Sequence, residues 1–402
     1  EIMFENLTLK VSDWLNNGLD FNTMVTISRG NIEGFAAAAF QYRLFGDKKL
    51  LILLHKKLNI FLANIDKTNH NPLDVGHLLI SLSLLNNWLN KELSKSQKKI
   101  IKDTVLDYAS ELYSKTKTPL GYWSGTPLHN ITHCAWAGIG LAGFSFSFEI
   151  PEAKFWLNDA FHYFNLVSWL QAEDGALVEG PSYSAYEAEL RPLFYLPCKA
   201  LLNENLFREN HQGIADFFIH LNKPFGEKLN HLFPWGDSGR SLHYHSPVNL
   251  LLGVASEYQS EKIQSISYKI LKQGFSKSTP YEWLNLAFYD PKIHFDTPEP
   301  LPLDHHFKDL GLIFSRTNWD ENATAISFKC GPFQGHKAAK LFDGDPGCSH
   351  CHADAASFQL FSRKSDVLID PGYELFKRTS NHNTVMINGL GQLGEGTKWF
   401  DV

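Results

Sequence analysis

The sequence predicts a two-part chain, helical first and β afterwards, and three observations carry that expectation. Up to about residue 290, apolar residues recur at three- and four-residue intervals, the period of a helix packed on one side. Pro291–Pro302 then holds four prolines and reads as a linker. Beyond it the period drops to two. Ile326, Phe328 and Cys330 share one face, Phe358 and Leu360 another, and Val385 and Ile387 a third before the turn Asn388-Gly389. The expected domains are 1–290 (helical), 291–303 (linker) and 304–402 (antiparallel β). Five or six strands are few for a closed sandwich, so the natural chain is expected to continue past Val402.

Taken in order, the helices are expected at Ile32–Phe45, Lys48–Ile65, Pro72–Leu89, Ser96–Ser114, Ile131–Phe144, Glu152–Gln171, Ser184–Leu202, Asn210–His220, Val248–Ser256 and Glu261–Gln273. Gly46-Asp47 separates the first two, and Ser94 and Ser96 are start signals for the fourth. Short loops and no intervening strand alternation leave three arrangements: a bundle, a solenoid or a toroid of helix pairs.

Composition sets limits on function. A 402-residue chain with 44% hydrophobic and 20% charged residues buries a sizeable core and suits two domains. Its net charge of −6 argues against nucleic acid as a partner, although a local basic cleft could still meet a polyanion. Five cysteines are an odd number and form no disulfide framework. The start, Glu1-Ile2-Met3, has neither the basic nor the apolar region of a signal peptide. Ala135–Phe148 is the most membrane-like stretch, but it is short and broken by glycine and serine, so it reads as a buried helix. No membrane partner is expected, and oligomeric state is not legible.

Chemistry-bearing residues concentrate between Cys348 and Thr384, where His350, His352, Asp354, Asp370 and His382 alternate with short β-like runs. On a strand, His350 and His352 would point the same way. Asp370 and His382 could then join them as a zinc site of imidazole and carboxylate. Cys348-Ser349-His350-Cys351-His352 also fits the C-x-x-C-H spacing of haem attachment, which needs only three fixed residues. The helical part adds three stretches: Leu128–Cys134, with His129 and Asn130; Asp174–Glu187, with Tyr183 and Tyr186; and Phe233–His245, with Trp235, Arg240 and His243. Singly, these read as a helix cap, packing aromatics and a capped loop. Together they suit β-elimination beside a carboxylate. That reaction needs a neutral donor for the carboxylate, a base for the α-proton and an acid for the departing glycosidic oxygen.

At this point the sequence resembles the heparinase II/III-like polysaccharide lyases. The residues that carry the resemblance are Asn130, the loop Asp174-Gly175 to Tyr183, the turn Trp235-Gly236-Asp237-Ser238, His350-Cys351-His352-Ala353-Asp354, Asp370-Pro371-Gly372 and His382-Asn383-Thr384-Val385. The resemblance implies an incomplete (α/α) toroid followed by an antiparallel β-sandwich, with the active cleft between them. It implies that Asn130 neutralises a uronate carboxylate, that Tyr183 is the acid (and the base for one C5 epimer), and that His350 is the base for the other. It places a structural zinc on His352, Asp370 and His382, and no organic cofactor. By looser correspondence, His129 is a second carboxylate binder and Tyr373 a further tyrosine of the site. Tyr186, Trp235, Arg240 and His243 are the expected sugar contacts.

The expected substrate is an acidic polysaccharide, a glycosaminoglycan before alginate, met in the periplasm or outside the cell. Two other classes fit the residues less fully. One is a hydrolase using a carboxyl pair from Asp174, Glu179, Glu187 and Asp237. The other is a glycan-binding protein without catalysis.

Overall fold

Side-chain caps fix where the long helices begin. Asp47 accepts from the amides of Lys49 and Leu50 and starts α3 (Lys48–Asn64). Asn71 accepts from Leu73 and Asp74, with proline at the first helical position, and starts α4 (Pro72–Trp88). Ser94 and Gln97 form a reciprocal capping box on α5 (Lys95–Lys117). The structure, a computed structural model, describes residues 1–17, 29–65, 68, 71–118, 123–224, 231–240, 245–272, 281–294, 301–343, 350–374 and 376–396.

The remaining long helices are α1 (Ile2–Asn17), α2 (Arg29–Phe45), α6 (Asn130–Phe146), α7 (Ala153–Leu170), α8 (Gly180–Pro197), α9 (Gly213–His220), α10 (Val248–Tyr258) and α11 (Glu261–Lys272). All ten expected helices are present. The sequence reading missed α1, the short turns from Glu282 to Phe288 (closing with α12, Asn285–Phe288) and α13 (Gly335–Leu341). Helices α2, α4, α6, α8 and α10 pack one against the next as an inner wall, while α3, α5, α7 and α11 lie outside it. This alternation makes a toroid of helix pairs. The inner position of α6 is plain in its burial: every residue from Asn130 to Gly143 is buried. A helix apolar on all sides needs neighbours on all sides. No helix among the described residues is long and apolar enough to cross a membrane.

The β part is one antiparallel meander, β1 (Asp304–Phe307), β2 (Leu312–Arg316), β3 (Thr324–Lys329), β4 (Ser357–Ser362) and β5 (Ser365–Leu368), in sequential order. Alternation in β3 is as expected, but the face is informative. Ala325, Ser327 and Lys329 turn inward, while Ile326 and Phe328 lie on the more open side, in register with Leu360 and Phe358. The sheet is anchored to the helices by Arg316, whose guanidinium donates to the carbonyls of Asn222 and His220 at 2.8 Å and stacks on Trp319. Phe217 against Phe307 and Phe233 against Phe314 fill the space behind it.

Two strand expectations are corrected. Val385 and Ile387 form no ladder among the described residues. Asn388 and Gly389 do make the tight turn, both at positive φ, but it joins only the single bridge Ile387–Leu390. His350 and His352 lie in the loop before β4, so their common direction is set by a shared carboxylate and not by strand pleating.

Candidate active site

The start of α6 builds one wall of the site. His129, not Asn130 or Thr132, is the cap: its Nδ1 accepts from the Ile131 amide at 3.1 Å. That fixes its tautomer with the proton on Nε2, and burial, with His350 and Lys377 nearby, pushes its pKa down to about 3. The ring is therefore neutral. Asn130 is the first helical residue, and its backbone N–H (2.9 Å) and Nδ2 (3.1 Å) both donate to Glu179 Oε2. A carboxyl at a helix N-terminus is electrostatically at home. Burial and the neighbouring Glu187 nonetheless raise the Glu179 pKa well above the usual range. Glu187 in turn takes the Arg191 guanidinium at 2.8 Å. Glu179 thereby orients the Asn130 amide at the cleft.

The second wall is the start of α8. Gly180 sits at φ +75°, and a Cβ there would lie 2.3 Å from the Trp235 carbonyl, so the Glu179-Gly180-Pro181 turn can press against the 234–238 loop only with glycine. Ser182 Oγ meets Ser238 Oγ at 3.0 Å and accepts from the Gly239 amide. These contacts place Tyr183 at the mouth of the site, with its ring stacked on His350 at 3.4 Å between centroids and 6° between planes. The Tyr183 hydroxyl donates to Tyr373 at 3.2 Å, and burial, aided by that hydroxyl, raises its pKa, keeping it a phenol. His129 and His350 lie 5.9 Å apart, and ligand atoms of His129, Glu179 and His350 fall within 4.8 Å of one another.

Asp237 joins this wall to the β part. Gly236, at φ +65°, brings the turn against the His350 carbonyl, which accepts from the Asp237 amide at 2.8 Å. The carboxylate divides its oxygens: Oδ2 to His350 Nδ1 at 3.0 Å, and Oδ1 to His352 Nε2 at 2.8 Å. Lys377 Nζ lies 3.5 Å from Oδ2. With Nδ1–H directed at Asp237, the basic nitrogen of His350 is Nε2. Burial lowers the pKa of His350, although Asp237 opposes it.

Behind Asp237, His352, Asp370 and His382 are buried, with ligand atoms within 4.8 Å of each other. Among the described residues His352 Nδ1 and His382 Nε2 have no hydrogen-bond partner, while His382 Nδ1 lies 2.7 Å from Asp370 Oδ2. Two orphaned imidazole nitrogens facing a buried carboxylate are costly without a cation, so this donor set fits a small divalent metal. Cys351 is not among the donors, since its Sγ contacts the Val178 carbonyl at 3.1 Å. Cys348 lies outside the described residues. Asp354 lies outside this group of ligand atoms, and its Oδ1 takes the buried Lys329 ammonium at 2.7 Å.

Asn130, Tyr183, His350, His129 and Tyr373 are thus brought together, with Tyr373 62% exposed at the rim. The expected sugar contacts fare differently. Tyr186 is a correction: one turn beyond Tyr183 it points into the toroid, buried, with its hydroxyl 2.7 Å from His77 Nε2. Trp235 is also buried and lines a small cavity of about 20 Å³, so it shapes the wall and does not face sugar. Arg240 is exposed, 3.8 Å from Asp366. His243 lies outside the described residues. The sequence offered Glu179 and Asp237 only as carboxyls for hydrolysis, not as the groups that position Asn130 and His350, and Lys377 gave no signal.

Helix α8 carries two further buried carboxyls with a consequence for stability. Burial raises Glu187 to about 7 and Glu189, 2.9 Å from His245 Nδ1, to about 8. Between the ordinary carboxylate range and these values the folded chain binds more protons than the unfolded one, so stability falls as pH rises through that window. Buried histidines such as His129, whose pKa is lowered, push the other way over the same range, so the carboxyl is read as a difference: from pH 5.5 to pH 8 the parent Tm is expected to fall relative to that of Glu189→Gln in a calorimetric series. A parent-minus-variant difference that stays constant with pH would contradict this.

A helical toroid joined to an antiparallel sheet, with tyrosine, histidine and asparagine meeting at the seam, defines the class. Residues 299–401 match the family model described as heparinase II/III-like, C-terminal, and the β part of this chain is a domain of that family. Solved structures resemble the chain over nearly its whole length. Heparinase III matches at 13% identity and TM-score 0.56, covering 95% of this chain and 59% of that one. A methylated-lysine form of a heparinase III matches at 14% identity and TM-score 0.53, with 98% and 63% covered. The heparan sulfate lyase of Pedobacter heparinus matches at 16% identity and TM-score 0.52, with 96% and 56% covered. At these identities the likeness is one of fold, that of a toroid followed by a β-sandwich domain. The chain spans 56–63% of the length of these structures. No curated protein matches it.

Proposed function

We propose that this chain is a polysaccharide lyase that cleaves a uronate-containing polymer by β-elimination. The observation that carries the reading is the Tyr183–His350 stack beside the Asn130 amide, which Glu179 holds in place. His350 Nε2 takes the proton from C5. The electron pair forms the C4–C5 double bond, the C4–O bond breaks, and the Tyr183 proton goes to the departing oxygen. The second Asn130 amide hydrogen and His129 Nε2–H face the uronate carboxylate and stabilise its enolate-like form. Neutral donors avoid adding a charge that would repel a polyanion.

The hydrolase reading is less favoured. Glu179 and Glu187 are buried together and Asp237 is occupied by two histidines, which leaves none of them free to flank a glycosidic bond. The names of the structural relatives favour a glycosaminoglycan, heparan sulfate first, over alginate. A polymeric substrate of that kind is met in the periplasm or outside the cell. Incubation with heparan sulfate, chondroitin, hyaluronan and alginate is expected to give an unsaturated uronate product absorbing near the ultraviolet edge. Saturated products alone would select hydrolysis, and no product from any polymer would leave a binding protein.

His352, Asp370 and His382 are proposed to hold one divalent ion, with zinc best suited to two imidazoles and a carboxylate. The ion would fix the loops that carry His350 and Tyr373. Dialysis against a chelator is expected to release about one metal per chain and to lower Tm by about 5 °C or more, restored on adding zinc. A chain purified without metal and unmoved by zinc would remove this assignment.

A further inference from the structure

A second groove, of about 710 Å³, opens where α7, the β1–β2 turn and α13 meet, and its lining includes none of the residues of the elimination site. We propose that it binds an acidic oligosaccharide, giving the protein a second hold on a polyanionic chain. Trp169, at the end of α7, is 49% exposed here, with the Lys337 ammonium 5.5 Å from its ring centre. A flat indole with its edge in water is a stacking surface for a sugar ring.

Charge then selects which sugar. The carboxylates of the groove are already occupied. Glu173 pairs with Lys337 at 2.8 Å. Asp174 accepts from the amides of Ala176 and Asp309, and Asp309 accepts from the amide of Lys337. The cations are in the opposite position. Lys308 and Lys340 are exposed, and among the described residues neither has a carboxylate within ion-pair reach. His306 and His336 add two exposed imidazoles to the same rim. A cleft of ligand size that combines a stacking ring with unneutralised lysines is complementary to sulfate or carboxylate groups carried on a sugar.

The choice of a glycan over another polyanion rests in part on the proposed lyase function, so the test separates the two. In a Tyr183→Phe background, which leaves the probe uncut, a heparin-derived octasaccharide is titrated while tryptophan emission is followed. Subtracting the same titration of a Trp169→Phe protein isolates the groove. Saturable quenching of Trp169 is expected, weakened about tenfold in Lys308→Glu/Lys340→Glu, whose side chains are exposed. If the lyase acts on polymer, the same double variant raises KM for long chains with kcat on a tetrasaccharide unchanged. Absence of a Trp169 signal, or equal quenching by polyglutamate, overturns the groove assignment. Quenching that persists in a protein yielding no product from any polysaccharide keeps the groove and removes the lyase reading.

Discussion

Tyr183→Phe is expected to lower kcat by about a thousandfold or more while leaving Tm within about 2 °C of the parent. The phenol is the acid in the proposed elimination, and removing its oxygen leaves the departing glycosidic oxygen without a proton donor. The fold has little to lose. Among the described residues the hydroxyl bonds only Tyr373, which is mostly exposed, and the ring keeps its stack on His350. Binding should survive, because in the proposed elimination Asn130 and His129 hold the carboxylate independently. The split between an unchanged Kd for uncut oligosaccharide and a collapsed kcat is the signature to look for. Tyr373→Phe offers the control: loss of one rim hydroxyl should cost about tenfold or less. If Tyr183→Phe retained a tenth of parental activity, the proton would be coming from elsewhere, with Tyr373 the nearest replacement.

The helical half was legible because its signals are local. Asp47, Asn71 and Ser94 announce their helices within four residues, and apolar spacing supplies the rest. What was hidden depends on contacts across the chain. Tyr183 and Tyr186 look alike in sequence, yet one stacks on a histidine 167 positions later and the other bonds His77 inside the toroid. The strand reading set His350 beside His352 in one zinc site, but the fold parts them: His350 pairs with Asp237 at the cleft, His352 joins the candidate metal group, and Asp354 takes the Lys329 ammonium. Asn383 and Thr384 in the last motif tie loops to β4 and to the end of β5 through the carbonyls of Phe358, Ile369 and Ala355. The motifs marked where the site lies. Only the fold assigns the work.

Asp237 is where loss should be most severe for fold and chemistry together. Its carboxylate is 5% exposed and meets His350 Nδ1, His352 Nε2, the Glu374 amide and Lys377. In Asp237→Ala the buried Lys377 ammonium loses this counter-charge and two imidazoles lose an acceptor. Removing one member of a buried charged set typically costs about 3–5 kcal/mol, so a fall in Tm of about 5 °C or more is expected, with activity below detection. Asp237→Asn separates the two effects. The amide fills the same space, but its NH2 end cannot accept from an imidazole N–H. One histidine must change tautomer or break away. If that is His350, its proton moves to Nε2 and the base is lost. A decrease in kcat of about a thousandfold, with most of the stability retained, is the expected result. A variant that folds and turns over within tenfold of the parent would show that Asp237 is a packing anchor and that His350 is held in its basic form by another group.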